Sequence, residues 1–238
     1  MTSPGEKVWP GRVAMVGAST AIACFVLLHM WMGDFVDPLR RPVSLYALEA
    51  PGSVLFPLGV LGVAVAAMAL SLPRPVRGAQ LRCILTRASL GASGALLVLV
   101  ALFPTDAGYR VASWSGEIHR YAAGGAFLLL TVAGLAHAAH GVRHRGPVRA
   151  IGVTAVISAV TFVVIVFNTF APVMLHAQSW SGIPQRILLL AHAVMLMFLA
   201  APLGTSRWVG IRPGMHAAPR KRESMGTNMH VLSGTDNR

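Results

Sequence analysis

Long apolar segments without a charged side chain constrain this chain more than any other feature. The longest covers residues 150–185, a stretch of 36 residues without Asp, Glu, Lys or Arg. A helix needs about 20 apolar residues to cross the roughly 30 Å hydrocarbon core of a bilayer. Charged residues are only 12% of the chain, whereas soluble domains contain about 25%. The pattern therefore excludes an ordinary soluble domain and also a disordered chain.

The apolar segments predict an all-α fold, a polytopic membrane protein with six transmembrane helices in one bundle. The 36-residue segment is too long for one span, and Pro172 and Pro184 divide it into parts of two spans. The predicted spans are residues 13–32, 53–72, 88–103, 121–140, 151–170 and 185–202. We expect a short interfacial segment between the first two spans. Residues 1–12 form a predicted N-terminal segment, residues 13–204 the membrane domain, and residues 205–238 a basic tail without fixed structure.

The basic residues predict the orientation in the membrane. If the N-terminus is cytoplasmic, 15 of the 20 Lys and Arg residues lie on the inner side, together with both termini. This bias follows the positive-inside rule. A net charge of +12 on a soluble domain would indicate nucleic acid. Here the basic residues lie between apolar segments, so we expect a lipid bilayer as partner and no nucleic acid.

Polar side chains gather near the predicted outer boundary, and the central membrane has almost none. Polar groups within the membrane are costly: a charge at the bilayer centre costs about 2.5–3.5 kcal/mol on insertion scales. We expect Asp106 to orient or activate His119, and Arg186 to bind an anionic headgroup or substrate. Local roles as helix caps or interfacial anchors stay open. The candidates for the ligand pocket are Tyr46, Asp106, His119, Asn168 and Arg186.

Histidines at related depths suggest two cofactors. His29, His119 and His192, with Asp106 or Glu117, are residue types that bind zinc and leave a position open for water. No HExxH spacing accompanies them. His29 and His192 are also at matched depths for axial ligation of a haem. A structural role with one hydrogen-bond partner is the third interpretation, and the sequence requires no cofactor.

Four short motifs occur in order along the chain: Pro42-x-Ser44-x-Tyr46, Phe103-Pro104-Thr105-Asp106, His119-xxx-Ala123-xxx-Phe127 and Gly182-xx-Gln185-Arg186. Together they resemble the bacterial and archaeal membrane family called domain of unknown function 998. The resemblance covers residues 12–205 and implies six spans in a bacterial inner or plasma membrane, with an unknown activity. Gln185 stands where the resemblance suggests an acid, which weakens any mechanism that needs a Glu–Arg pair there.

Three function classes remain open from the sequence. The first is a binding or accessory protein: either its outer polar pocket takes a lipid-like or small anionic ligand, or its polar groups pair locally, hold helix ends and leave no pocket. The second is a hydrolase or lipid-modifying enzyme, with or without a metal, which requires the three histidines to converge. The third is a small-solute transporter, which requires broken helices or a polar path at the midplane. Whether the protein is an enzyme, and its oligomeric state, are not readable from the sequence.

Overall fold

The computed structural model describes residues 9–72, 81–107, 112–140, 146–170 and 181–204. Within these ranges the chain is helical or loop, and it contains no β-strand. The helices are α1 (Trp9–Met32), α2 (Gly52–Ser71), α3 (Leu81–Leu102), α4 (Trp114–His140), α5 (Gly146–Phe170) and α6 (Gly182–Gly204). A 3₁₀ helix, Val43–Leu48, lies in the α1–α2 loop, where the interfacial segment was expected. The predicted tail, residues 205–238, lies outside the described residues.

All six helices are long and apolar enough to span a membrane, which confirms the predicted fold class. Several begin earlier than predicted. The first starts at Trp9, inside the predicted N-terminal segment, and α3 starts before Arg82 and Arg87. A span predicted from hydropathy ends at the first charged residue. The helix itself can extend past that residue, because long basic side chains can reach polar groups or water beyond the apolar segment. Arg82 does so by donating to the Ala139 carbonyl near the end of α4, at 2.5 Å.

The helices form a closed ring in chain order. Each packs against its neighbours in sequence, and α6 closes the ring against α1. Burial is uneven along the ring. In the most apolar stretch of α2, 56% of the residues are buried inside the protein, but in that of α5 only 17% are buried. Ring closure brings the start of α6 next to the end of α1, and this contact was not predictable from the sequence.

Small residues set the closest helix contact. A Cβ atom on Gly17 of α1 would lie 2.5 Å from the carbonyl oxygen of Gly62 on α2, and one on Gly62 would lie 2.6 Å from the Gly17 carbonyl. Real Cβ atoms do not approach so closely, so the two backbones can meet only because both residues lack a side chain. This crossing fixes α1, which carries His29 near its other end.

Candidate functional site

Arg186, near the start of α6, is the centre of a hydrogen-bonded group at the end of the bundle that carries the α1–α2 loop. Its Nε donates to Nε2 of His29 at 2.6 Å. Its Nη1 donates to the carbonyls of Arg41 at 2.7 Å and Gly182 at 3.1 Å. Its Nη2 donates to the Tyr46 hydroxyl at 3.3 Å, and the guanidinium carbon lies 5.8 Å from the centre of the Tyr46 ring. We call Arg186, His29 and Tyr46 the Arg186 cluster.

The hydrogen bonds of the cluster define the protonation of His29. Its Nδ1 lies 2.6 Å from the Phe25 carbonyl, which only accepts, so Nδ1 carries the proton. Its Nε2 accepts the hydrogen bond from the Nε–H of Arg186 and is therefore the unprotonated nitrogen. The Tyr46 hydroxyl donates in turn to the Val36 carbonyl at 3.4 Å, and the Tyr46 side chain is fully buried. Both nitrogens of a neutral His29 are thus engaged.

The start of α6 is fastened to the α1–α2 loop by backbone and amide contacts. The Gln185 side-chain oxygen accepts from the Val43 backbone N–H at 2.7 Å, at the beginning of the 3₁₀ helix. The Gly182 N–H donates to the Leu39 carbonyl at 3.0 Å. A Cβ on Gly182 would lie 2.6 Å from the Pro38 carbonyl, so a larger residue would separate helix and loop. These contacts hold Arg186 over Tyr46.

The positive charge of Arg186 is held entirely by neutral groups. Its acceptors are an imidazole, a phenol hydroxyl and two backbone carbonyls, and none of them is a carboxylate. An ion pair does occur nearby, between the exposed side chains of Arg40 and Asp37 at 3.5 Å, but it does not include Arg186. Within the described part of the chain, the half-buried guanidinium therefore has no compensating anion.

Asp106 has a structural role at the start of α4. Its Oδ2 accepts from the backbone N–H groups of Ala112 at 2.8 Å and Ser113 at 3.2 Å. Its Oδ1 accepts from the Ser113 hydroxyl at 2.6 Å, and the Ser113 oxygen accepts from the Gly116 N–H at 3.0 Å. This is an N-cap in which the aspartate holds the capping serine. The Ser113 hydroxyl, then the Ala112 N–H and more weakly the Arg120 charge, lower the pKa of Asp106 below its usual value.

His119 is oriented by a backbone carbonyl. Its Nδ1 lies 2.8 Å from the Phe103 carbonyl at the end of α3. Its ring stacks on Phe56 of α2, with centroids 6.1 Å apart, and the residue is 5% exposed. The prediction that Asp106 orients or activates His119 is therefore wrong. Asp106 accepts hydrogen bonds from the cap of α4, and the imidazole of His119 is hydrogen-bonded to the Phe103 carbonyl.

The predicted pocket residues thus fall into separate places. Tyr46 and Arg186 are in direct contact, as part of the Arg186 cluster. Asp106 and His119 lie at the α3–α4 connection, in two different sets of hydrogen bonds. Asn168 lies near the end of α5, where both polar atoms of its amide are buried without a hydrogen-bond partner among the described residues. No described contact joins Asn168 to the other four.

His192 lies deeper than the other histidines, in the interior between α4 and α6. Its Nε2 pairs with the Thr131 hydroxyl oxygen at 3.2 Å, and its ring stacks on Phe127 with centroids 5.9 Å apart. The residue is 1% exposed, and its Nδ1 has no hydrogen-bond partner in the described structure. The interior of the bundle therefore contains a hydrogen-bonded pair of polar side chains, Thr131 and His192.

The three histidines proposed as metal ligands do not converge. His29 contacts Arg186, His119 contacts the Phe103 carbonyl, and His192 contacts Thr131. Across residues 9–204, where described, no three His, Cys, Asp or Glu side chains form a group suited to a metal ion. The haem interpretation fails on His29, because both of its ring nitrogens already have partners. The described residues therefore fit neither cofactor.

Sequence reasoning missed several residues that build these sites. Ser113 and Ser115 both fit the sequence pattern of a cap for α4. The Ser113 hydroxyl is the cap, because it accepts from the Gly116 N–H, whereas the Ser115 hydroxyl donates to the Pro104 carbonyl at 2.7 Å. Thr131 gave no signal, because a threonine in an apolar span usually bonds to its own helix. Gln185 was noted only as a departure from an expected acid.

The family assignment agrees with this architecture. A family model described as a protein of unknown function, DUF998, matches residues 15–202. The chain belongs to the DUF998 family. Searches of the curated proteins and of the solved structures found no match. This DUF998 member is accordingly a multi-pass membrane protein, and the matched region includes the Arg186 cluster, the α4 cap and His192.

Proposed function

We propose that this DUF998 protein binds an anionic group, the phosphate or carboxylate of a lipid headgroup or a small anion, at the Arg186 cluster. One observation carries the proposal: a half-buried guanidinium is oriented by neutral acceptors and lacks a carboxylate partner among the described residues. A buried charge without compensation is costly, and an anion would supply that compensation.

The chemistry of the cluster suits an anion. Arginine carries a permanent positive charge, and its N–H groups donate to oxygens such as those of phosphate and carboxylate groups. Four of its N–H groups are fixed by His29, Tyr46 and two carbonyls, so the remaining N–H on Nη2 is already oriented. Gln185 next to it adds a neutral amide and no competing charge.

The position of the cluster favours a headgroup as the source of the anion. Arg186 lies roughly 6 Å along α6 from its first residue, at 1.5 Å per residue. That depth corresponds to the boundary between hydrocarbon and headgroups, where arginine and tyrosine side chains are common. The predicted topology places this boundary on the outer side of the membrane.

The two other function classes are less well supported. A metal-assisted hydrolase would need convergent ligands, and a metal-independent one would need Asp106 beside His119, but the described contacts separate these residues. A transporter would need interrupted spans or a polar path through the bundle; the six described helices are continuous, and no described hydrogen bond joins the interior Thr131–His192 pair to the Arg186 cluster. Binding requires only the geometry already described.

The experiment compares two arginines at the same end of the protein. Wild type, Arg186→Gln and Arg40→Gln would be purified in a neutral detergent, and binding of phosphatidylglycerol and phosphatidylcholine measured by native mass spectrometry. We expect Arg186→Gln to weaken phosphatidylglycerol binding about tenfold, equivalent to about 1.4 kcal/mol. Arg40→Gln removes the same charge from an exposed surface pair and should bind as wild type does.

Two further measurements make the result decisive. Arg186→Lys retains the charge but has three N–H donors instead of five, so it cannot keep all the present contacts and should bind phosphatidylglycerol with intermediate affinity. Thermal stability with added inorganic phosphate distinguishes a small anion from a lipid headgroup, since only the former raises the melting temperature without lipid. If the folded Arg186→Gln protein binds phosphatidylglycerol and phosphate as wild type does, the proposal is wrong.

A further inference from the structure

A second group of polar side chains lies inside the membrane-spanning part, at the junction of α4, α5 and α6. The packing of Gly134 locates it. A Cβ on Gly134 would touch the sulfur of Met195 and lie 2.9 Å from the Cβ of Ala155. Gly134, Ala155 and Met195 therefore meet at one level of the bundle, one residue from each of the three helices.

One helical turn nearer the Arg186 cluster, the same three faces carry polar residues. Thr131 precedes Gly134 by three positions, His192 precedes Met195 by three, and Ser158 follows Ala155 by three on the antiparallel helix. Residues three apart share a helix face, so these three form one layer. They are 4%, 1% and 0% exposed, respectively. His192 lies six residues, about 9 Å, deeper along α6 than Arg186.

The hydrogen bonds of this layer leave one ring nitrogen and one hydroxyl group without a partner among the described residues. The Thr131 hydroxyl donates to the Phe127 carbonyl at 2.8 Å, so its oxygen accepts the Nε2 proton of His192. The other ring nitrogen, Nδ1, is then an unprotonated acceptor in a neutral imidazole. Nδ1 of His192 and Oγ of Ser158 are both buried without a partner in the described structure.

Ser158 differs from the other hydroxyl residues of its helix. Thr154 donates to the carbonyls of Ala150 and Ile151, and Thr161 donates to the carbonyl of Ile157. Such bonds within the helix are the usual solution for serine and threonine in an apolar span. The Ser158 hydroxyl does not use it and instead lies unpaired at the level of His192.

We propose that the Thr131–Ser158–His192 layer is a binding site for one small neutral hydrogen-bond donor, a water molecule or a solute of similar size. The guest donates to Nδ1 of His192 and pairs with the hydroxyl of Ser158. Buried polar groups in proteins are satisfied by such internal waters when two or more partners converge. An anion does not suit the site, because Nδ1 offers a lone pair and the parts of the three helices around it, residues 121–140, 150–170 and 187–204, contain no Lys or Arg.

The first test is the sign of a stability change. If a guest bridges the two residues, Ser158→Ala removes one of its partners and lowers the melting temperature. If the site is empty, the same change removes a costly unpaired hydroxyl and raises the melting temperature or leaves it unchanged. The control is Ser93→Ala in α3, since Ser93 is equally buried but donates to the Leu90 carbonyl at 2.8 Å. The Ser158→Ala decrease should exceed that of the control.

The second test observes the guest directly. The protein would be labelled with ¹⁵N-histidine, and the His192 signal assigned from its loss in His192→Gln. We expect an unprotonated, hydrogen-bonded Nδ1 with a cross-relaxation peak at the water frequency, weakened in Ser158→Ala. A peak from another molecule, identified by mass spectrometry of the extract, would indicate a solute of the same chemistry. A free Nδ1 together with a stabilising Ser158→Ala overturns the proposal.

Discussion

His29 and His192 are both neutral imidazoles inside a helical bundle, yet their surroundings differ in one respect. His29 has both nitrogens engaged, one with the Phe25 carbonyl and one with Arg186. His192 has one nitrogen engaged with Thr131 and one without a partner in the described structure. At the first site the unbalanced quantity is a positive charge, and at the second it is a lone pair.

The two proposals follow from this difference. A charge whose hydrogen bonds go to neutral groups favours an anion, because most of its N–H groups are used while its electrostatic field is not compensated. An unpaired acceptor in an uncharged interior favours a small hydrogen-bond donor. Under the two proposals, the partners of each histidine determine which kind of ligand its site would take.

The largest expected effect is the loss of stability in His29→Leu, which is best compared with the same substitution at His192. His29→Leu leaves the Nε proton of Arg186 without an acceptor, and we expect a loss of about 2 kcal/mol in the free energy of unfolding. His192→Leu removes one neutral hydrogen bond inside the membrane, where such bonds average about 0.6 kcal/mol. Equilibrium unfolding in mixed micelles would measure both.

The order of these two losses tests the comparison itself. A His192→Leu loss equal to or greater than that of His29→Leu would mean that the interior layer, and not the Arg186 cluster, is the more important polar contact. Tyr46→Phe serves as the control at the first site. It removes one hydroxyl from the cluster, leaves the His29–Arg186 bond intact, and should cost less than His29→Leu.

A smaller effect is expected when the partner of His192 is removed. Thr131→Val eliminates the oxygen that accepts the Nε2 proton, at an expected cost of about 0.6 kcal/mol and at most about 1.7 kcal/mol. Without that acceptor only the guest at Nδ1 favours the Nε2 tautomer, and a water molecule there can also accept a proton from Nδ1, so the ¹⁵N signals of His192 should show a mixture of tautomers. Thr161→Val, whose hydroxyl bonds within α5, should leave those signals unchanged. An unaltered single tautomer in Thr131→Val would contradict the role of Thr131 as the acceptor that keeps the proton on Nε2.

The six spans were predictable because they depend on local quantities, segment length and the absence of charge. The side-chain partners depend on which helices meet. The contact between His29 and Arg186 exists because α6 closes the ring against α1, and no pattern within either segment encodes that closure. Thr131 was missed for a similar reason, since its role appears only when α4 faces α6.

The error at Asp106 has a local cause. A carboxylate after a proline, close to His119 in sequence, satisfied the pattern of a catalytic pair and equally the pattern of a cap. The structure distinguishes the two because Asp106 accepts three hydrogen bonds from Ala112 and Ser113. Hydrogen-bond geometry of this kind is set by the turn conformation, which short sequence motifs do not specify.

The smallest expected effect concerns this aspartate and marks the limit of the Arg186 cluster. Because hydrogen bonds lower the pKa of Asp106 in the folded protein, its ionised form stabilises the α4 cap above about pH 4, the usual range of a free aspartate. That contribution is lost as the pH falls through the lower pKa of the folded state. The stability difference between wild type and Asp106→Asn should therefore be constant near neutral pH and shrink below about pH 4.

The same variant should bind phosphatidylglycerol as wild type does, since Asp106 lies in the α4 cap and not in the cluster. Tighter lipid binding by Asp106→Asn would instead identify this carboxylate as the counter-ion of Arg186, and the contrast between a charge without an anion and an acceptor without a donor would no longer hold.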